Sequence, residues 1–113
     1  MNKRTVGAGY EEKACAYLKA QGMEILERNF RNRVGEIDIV AREGETLAFV
    51  EVKYRRGKGL GLPEEAVTAK KQGTIRRVSL YYLMKHPDLA NCSIRYDVAA
   101  FLGDELTYYR NAF

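Results

Sequence analysis

The sequence contains few of the residues that several common chemistries require. Two cysteines and one histidine occur in 113 residues. Cys15 and Cys92 lack the spacing of metal ligands, so we expect two reduced thiols. His86 stands beside Pro87 in an expected helix-ending turn, which argues against a Ser-His-Asp catalytic triad.

Long apolar segments are also lacking. No run approaches the roughly 20 residues that a membrane-spanning helix needs, and the first residues carry no apolar signal region. We therefore expect a cytoplasmic protein that does not enter a membrane. The glycine-rich segment 55–61 does not match the phosphate-binding pattern GxxxxGK[ST]. With no internal repeat and no linker, the length predicts one domain over residues 1–113.

Two consecutive runs of branched apolar residues predict a β-hairpin. They are residues 35–41 and 47–54, joined by a polar loop that contains a glycine. Alternation along a strand places Glu51 and Lys53 on one face, and places Asp38 opposite both Ile37 and Ile39. If Asp38 shares the face of Glu51, two carboxylates and an ammonium converge. Burying such charges costs several kcal/mol each unless they are paired or bind a metal.

The remaining elements are predicted from periodicity and from capping residues. We expect the order αβββαββ, an α/β fold with α+β-like layers in which helices pack on a mixed sheet. The predicted elements outside the hairpin are a helix at 5–21 ended by Gly22, a strand at 24–31, a helix from Pro63 to about Lys85, and strands at 93–101 and 105–110.

Helical projection distinguishes neighbouring charged residues. On the first helix, Glu11 borders the apolar face and can reach the sheet, whereas Glu12 points to solvent. On the second helix, Lys71 interrupts the buried stripe, with Gln72 on its flank. A lysine in that position either extends to solvent or meets carboxylates.

The hairpin residues fit metal-dependent hydrolysis of phosphodiester bonds. Magnesium prefers hard oxygen ligands, often one or two carboxylates with several waters. We expect Asp38, Glu51 and the backbone carbonyl of Val52 to bind Mg²⁺, or Mn²⁺ in its place. Lys53 would orient or help deprotonate the attacking water and stabilise charge on the phosphate. The alternatives are a turn or edge-strand acid for Asp38 and a solvent-facing cross-strand charge pair for Glu51 and Lys53. We would favour these for any one residue but not for the whole set.

Basic residues are concentrated around the hairpin. The formal net charge is +4 at pH 7 and the sequence pI is about 9.1. A charge run is usually a solvated surface, but this distribution favours a polyanionic partner. The basic residues that surround the hairpin in sequence are Arg28, Arg31, Arg33, Lys53, Arg55, Arg56, Lys58, Lys70, Lys71, Arg76 and Arg77.

Two levels of resemblance support this interpretation. Asp38 with Glu51-Val-Lys53 resembles the PD-(D/E)xK nuclease signature, although Ile37 stands where that signature has proline. Over nearly the whole chain, the sequence resembles the YraN family, also called UPF0102, small bacterial proteins to which an endonuclease activity is usually ascribed. The segments that carry this longer resemblance are 11–14, 17–18, Gly22, 25–31, 35–41, 49–55, 63–67, 71–72, 95–97 and 111–113.

The resemblance implies a restriction-endonuclease-like fold, similar to archaeal Holliday junction resolvases. It also implies an Mg²⁺-dependent endonuclease acting on DNA rather than RNA, with branched or flapped DNA as candidate substrates. Two alternatives remain open: a non-catalytic module on a nuclease fold that binds nucleic acid or a protein partner, and a purely structural charge network. The implied catalytic residues are Glu11, Asp38, Glu51 and Lys53. The residues expected at the nucleic acid are Arg55, Arg56, Lys58, Lys70, Lys71 and Gln72.

Oligomeric state is predicted from tyrosines. Tyr81, Tyr82, Tyr108 and Tyr109 fall where a small monomer has little core left to bury them. Aromatic residues are enriched at protein interfaces, so we expect a homodimer. The competing explanation is that these tyrosines cover the edges of a small core.

Overall fold

The computed structural model describes residues 3–55 and 67–113, and over these residues the elements follow the predicted order. They include two helices, five strands and a short 3₁₀ turn. In chain order the elements are α1 (Lys3–Ala20), β1 (Glu24–Arg31), β2 (Glu36–Glu43), β3 (Thr46–Arg55), α2 (Ala69–Lys85), the 3₁₀ turn (Pro87–Leu89), β4 (Ser93–Leu102) and β5 (Glu105–Tyr109).

The five described strands form one mixed sheet in the order β1-β2-β3-β4-β5. The pairs β1/β2, β2/β3 and β4/β5 are antiparallel, whereas β3 and β4 are parallel. Parallel neighbours need a crossover connection, and α2 lies in that connection. The mixed α/β arrangement is the predicted one and is consistent with a restriction-endonuclease-like core.

The two helices cover opposite faces of the sheet, because alternate residues of β3 join different core clusters. Phe49 packs with α2, through residues such as Val78 and Tyr82. Val50 packs with α1, through residues such as Leu18. Strand β3 is therefore buried on both faces, which explains its nearly continuous apolar run. Neither described helix has a stretch long and apolar enough to cross a membrane.

Glycines in the left-handed region shape the end of α1 and the hairpin. Gly22 has φ 87° and donates to the Lys19 carbonyl, and Met23 donates to the Leu18 carbonyl, which is the Schellman pattern of helix termination. In the hairpin, Gly44 has φ 59°. There the strands run further than predicted, into the segment that the sequence assigned to the loop.

Helix α2 begins later than predicted. The predicted start, Pro63, lies outside the described residues. Val67 and Thr68 are described and are not helical, so Val67 is buried ahead of the helix. Thr68 is the N-cap, and its hydroxyl accepts a hydrogen bond from the Lys71 backbone N–H at 3.1 Å. Lys71 therefore lies in the first turn of α2.

Candidate active site

Strands β2 and β3 separate at the position of Asp38. Their pairing ends at Ile39 opposite Val50, although β2 stays paired with β1 as far as Glu36. The Asp38 Oδ2 atom accepts a hydrogen bond from the Val52 backbone N–H at 2.8 Å. A carboxylate thus replaces a strand-to-strand carbonyl where the sheet opens. We call this point the fork.

Side-chain alternation breaks at the fork. The sequence predicted that Ile37 and Ile39 lie together opposite Asp38, and this is wrong: Ile37 packs in the α2 cluster and Ile39 in the α1 cluster. On β1, Asn29 lies between the residues paired with these two isoleucines and has φ 55°. A residue in this left-handed region interrupts regular strand geometry, and Asn29 does so next to Asp38 in the β1/β2 pairing.

Glu51 is buried on the α2 side of the fork. Only 6% of its surface is exposed, and its Oε2 atom has no hydrogen-bond partner within the part of the chain that the structure describes. The Lys71 Nζ atom lies 3.6 Å from this oxygen, an ion-pair distance that exceeds the usual hydrogen-bond range. Buried polar atoms without a partner are rare and costly, so this oxygen is suited to accept a cation.

The carboxyl groups of Asp38 and Glu51 interact with each other. Burial raises the pKa of Asp38 to about 8, and the adjacent Glu51 carboxylate also raises it, by hydrogen bonding and by its charge. The Val52 N–H and the Lys71 ammonium act in the opposite direction. At neutral pH the pair therefore retains a proton, which a bound divalent ion would have to release.

The first helix contributes Glu11 to the same region. Burial raises the pKa of Glu11, and the charge of Asp38 raises it further. The Glu11 side chain is 16% exposed, whereas that of Glu12 is 70% exposed, so the predicted difference between the two glutamates is confirmed. Arg28, which the sequence analysis gave no specific role, contacts Glu12 at 2.8 Å and lies 4.0 Å from Glu11.

Lys53 follows Glu51 by two residues on β3 and is half-buried. Over residues 3–55 and 67–113, no carboxylate lies within ion-pair distance of its ammonium. Its role as a catalytic residue stays a prediction.

The residues predicted to contact nucleic acid have different surroundings. Lys70 is exposed in the first turn of α2, and Arg55 is exposed at the end of β3. Gln72 has a local role that the sequence did not indicate, because its side-chain amide donates to the Val67 carbonyl at 2.9 Å. Arg56 and Lys58 lie outside the described residues.

A second buried acid, Asp97, was missed as an individual residue, although the family resemblance included its segment. It is fully buried on β4. Its carboxylate accepts from Arg95 Nε at 3.0 Å, from Tyr108 Oη at 2.6 Å and from the Asn111 N–H at 3.0 Å. Glu43 extends the network by pairing with Arg95. Both Asp97 oxygens have donors, which indicates a structural role.

The acidic groups at the fork fit a hard divalent cation. No three histidine, cysteine or acidic side chains among the described residues form a ready-made metal cluster. The groups that could ligate an ion are the carboxylates of Asp38 and Glu51 and the Val52 carbonyl. Magnesium commonly uses one or two carboxylates and fills its other positions with water. The unpaired Glu51 oxygen is the observation that supports this fit.

Comparison with known proteins identifies the family. The model of "Uncharacterised protein family UPF0102" matches residues 10–101. A UPF0102 protein of Caldicellulosiruptor saccharolyticus is 50% identical over 98 residues, covering 87% of this chain and 82% of the relative. A UPF0102 protein of Lachnoclostridium phytofermentans is 48% identical over 115 residues, covering 100% of this chain and 96% of the relative. The matched region contains Glu11, Asp38, Glu51 and Lys53, and the chain belongs to the UPF0102 family, as its sequence predicted.

Proposed function

We propose that this protein is an Mg²⁺-dependent endonuclease that hydrolyses phosphodiester bonds of DNA. The observation that carries the proposal is the buried Glu51 oxygen that has no hydrogen-bond partner among the described residues, next to a second carboxylate. The buried Asp97 has donors for both oxygens, so this chain can satisfy a structural acid fully. The different treatment of Glu51 supports a role in binding a cation.

Each residue at the fork has a role in this proposal. Asp38, Glu51 and the Val52 carbonyl would hold the ion, which supplies Lewis-acid polarisation of the phosphate and a more acidic water. Lys53 orients the attacking water and stabilises negative charge on the phosphate. Glu11 adds a third acid within electrostatic reach of Asp38.

The proposed substrate is DNA, bound without dependence on sequence. Lys70 and Arg55 are exposed at the ends of the two elements that carry Lys71 and Lys53, and the chain has a net charge of +4. Exposed lysines and arginines bind phosphates whatever the base sequence, and the sequence contains no recognised base-reading module such as a zinc finger. Branched and flapped DNAs are the candidate substrates that the family resemblance suggests.

A cleavage assay tests the proposal. The protein is incubated with Mg²⁺ or Mn²⁺ and duplex, single-stranded, flapped and four-way-junction DNAs. We expect at least one substrate to be cleaved by the native protein and none by Asp38→Asn. Equal cleavage by the native protein and by Asp38→Asn would contradict the assignment of the site. Binding of DNA without cleavage by either would favour the non-catalytic module.

Lys53→Ala separates chemistry from binding. We expect cleavage to be lost while the fold and most of the DNA affinity remain, because Lys53 acts on the transition state. Lys70→Ala is the matched control, since it removes the same charge from an exposed site and should weaken binding only. Equal loss of binding and turnover in Lys53→Ala would instead make Lys53 a phosphate anchor.

The proposed assembly is a homodimer, but most of the tyrosines on which this prediction depended are occupied within the chain. Tyr82 is 2% exposed, Tyr108 bonds to Asp97, and Tyr109 packs on the α2 cluster. Tyr81 remains exposed, together with Leu80 and Met84 on α2. The homodimer stays a prediction that now depends on this helix face. Light scattering at micromolar concentration tests it, and a 12.9 kDa species would contradict it.

A further inference from the structure

The ammonium of Lys71 lies beside the Glu51 oxygen that the proposed metal site would use. Its Nζ atom lies 3.6 Å from the buried Glu51 Oε2, the same oxygen that has no hydrogen-bond donor among the described residues. The Lys71 charge also reaches Asp38, whose pKa it lowers. One ammonium thus faces both of the carboxylates that would hold the ion.

The position of Lys71 on α2 is unusual for a cation. The first turn of α2 carries no acidic residue but contains Lys70 and Lys71. The positive end of the helix dipole disfavours cations there. Glu51 offsets this for Lys71 only, since over the described residues Lys70 has no carboxylate within ion-pair distance.

The contact between Lys71 and Glu51 is also partly open to solvent, as expected if the Lys71 ammonium can move away from the carboxylate. The Lys71 side chain is 41% exposed, whereas that of Glu51 is 6% exposed. The long lysine stem can keep its ammonium in water or turn it toward the sheet. Exchanging this contact for water therefore costs Lys71 little, while Glu51 would be left without a counterion unless another cation arrives.

We propose that Lys71 is an internal counterion that a divalent ion displaces from Glu51, and that the displaced ammonium then contacts a phosphate of the nucleic acid. This inference rests on the proposed function. It makes Lys71 a competitor of the metal and couples the two binding events. Metal loading frees the lysine for the polyanion, and a phosphate that holds the lysine favours metal loading.

Metal affinity measured without substrate tests the competition. Isothermal titration with Mg²⁺ alone compares the native protein, Lys71→Met and Lys70→Met. Both variants lose one positive charge from the same helical turn, but only the first loses the contact with Glu51. We expect Lys71→Met to bind Mg²⁺ about fivefold tighter than Lys70→Met. Titrations at about pH 9 keep proton release from Asp38 from masking the effect.

A spectroscopic measurement follows Lys71 in the native protein itself. The ε-methylene signals of the lysines are followed by NMR during the Mg²⁺ titration, with Lys71→Met used only for assignment. We expect the Lys71 signal to move toward the position of the exposed lysines as the site fills.

The outcomes separate the two proposals. If the native protein binds Mg²⁺ and Asp38→Asn does not, yet Lys71→Met binds no tighter than Lys70→Met and the Lys71 signal stays still, the counterion role is overturned and the metal site stands. If no protein binds Mg²⁺, both proposals fall. Weaker Mg²⁺ binding by Lys71→Met would show that Lys71 assists the ion instead of competing with it, which also overturns the inference.

Discussion

At the scale of single residues, two buried acids in the same sheet differ in their hydrogen bonding. Asp97 is surrounded by donors and is fixed in place. Glu51 has one oxygen without a hydrogen-bond donor in the described part of the chain and one long ion-pair contact. The difference supports the proposed cation site more clearly than burial does, because both residues are buried.

Asp38→Asn should make the metal-free protein more stable at alkaline pH. The pKa of Asp38 is raised to about 8 in the fold from an ordinary value of 3.8, so the native state binds the proton more tightly than the unfolded chain. This contribution to stability is complete below the unfolded pKa and is lost as the pH rises through the folded pKa. Asparagine carries no charge to bury, so the loss should be absent in the variant.

Urea unfolding with a chelator present measures this difference. We expect the free energy of unfolding of Asp38→Asn to rise relative to that of the native protein between about pH 4.5 and pH 9, by about 5 kcal/mol at about 1.4 kcal/mol for each pH unit by which the pKa is raised. Asp88→Asn, at an exposed position, is the control and should show no such gain. A pH-independent difference for Asp38→Asn would indicate that the Asp38 carboxyl is not protonated in the fold.

The residue-level features that the sequence revealed are those that follow from regular geometry. Helical projection distinguished Glu11 from Glu12, and strand alternation placed Glu51 on one face. The fork was not predictable, because it depends on where pairing of β2 with β3 ends and on the left-handed conformation of Asn29. Neither is encoded in a local hydrophobic pattern.

At the scale of elements, Gly35 sets how closely β2 approaches α2. A Cβ atom on Gly35 would lie 2.5 Å from the Thr74 Cγ2 atom. Gly35→Ala should therefore destabilise the protein by about 1–3 kcal/mol through overpacking. It should also shift the first turn of α2, which carries Lys71.

Thr74→Ser offers a matched rescue of this substitution. Serine lacks the obstructing methyl but keeps the hydroxyl, which bonds to the Lys70 carbonyl. In a double-mutant cycle we expect Thr74→Ser to recover most of the stability lost in Gly35→Ala. Additive effects of the two substitutions on the free energy of unfolding would mean that the close approach is not the cause.

The Asp97 network joins β4, β5 and the segment after β5. Asp97→Ala should cost about 3–5 kcal/mol, because it removes the buried carboxylate that Arg95, Tyr108 and the Asn111 N–H share and leaves Arg95 paired with Glu43 alone among the described residues. Tyr108→Phe removes one hydrogen bond to a charged group and should cost about 1.5–3 kcal/mol. Chemical unfolding measures both losses. A loss below about 1 kcal/mol for Asp97→Ala would contradict the structural role given to this network.

Element boundaries were predicted well where one local signal was dominant. Gly22 marked the end of α1, and apolar runs marked β2 and β3. The start of α2 was misjudged because Pro63 and Thr68 are both acceptable helix starts by sequence. In the structure Thr68 is the N-cap. Val67, just before it, is buried in the core, and a tertiary contact of this kind is not visible in the local sequence.

At the scale of the whole molecule, the strand order could not be derived from the sequence. Apolar runs predict strands and a mixed sheet, but they do not specify which edges pair. The parallel pairing of β3 with β4 arises because α2 carries the chain back across the sheet. The order of the elements along the chain was predictable from the sequence, whereas the pairing of the strands in the sheet was not.

Net charge and its distribution predict how the proposed binding of nucleic acid should depend on salt. If binding is driven by lysine and arginine contacts with phosphates, affinity for duplex DNA should fall steeply and linearly on a log–log scale as salt rises. Fluorescence anisotropy from about 50 to 200 mM salt measures the slope. Lys70→Ala should reduce the slope by about one. A flat salt dependence would argue for a protein partner in place of DNA.

The hydrogen bond from Val52 to Asp38 gives the site its own reporter. The acceptor of this amide proton is a carboxylate oxygen, not a carbonyl of a neighbouring strand. The chemical shift of this amide proton and its rate of exchange with deuterium should therefore follow the charge on Asp38. The same quantities for amides in the paired part of β3 should not change. Titration of the fork can thus be observed at one backbone proton, in the native sequence, without substrate and without turnover.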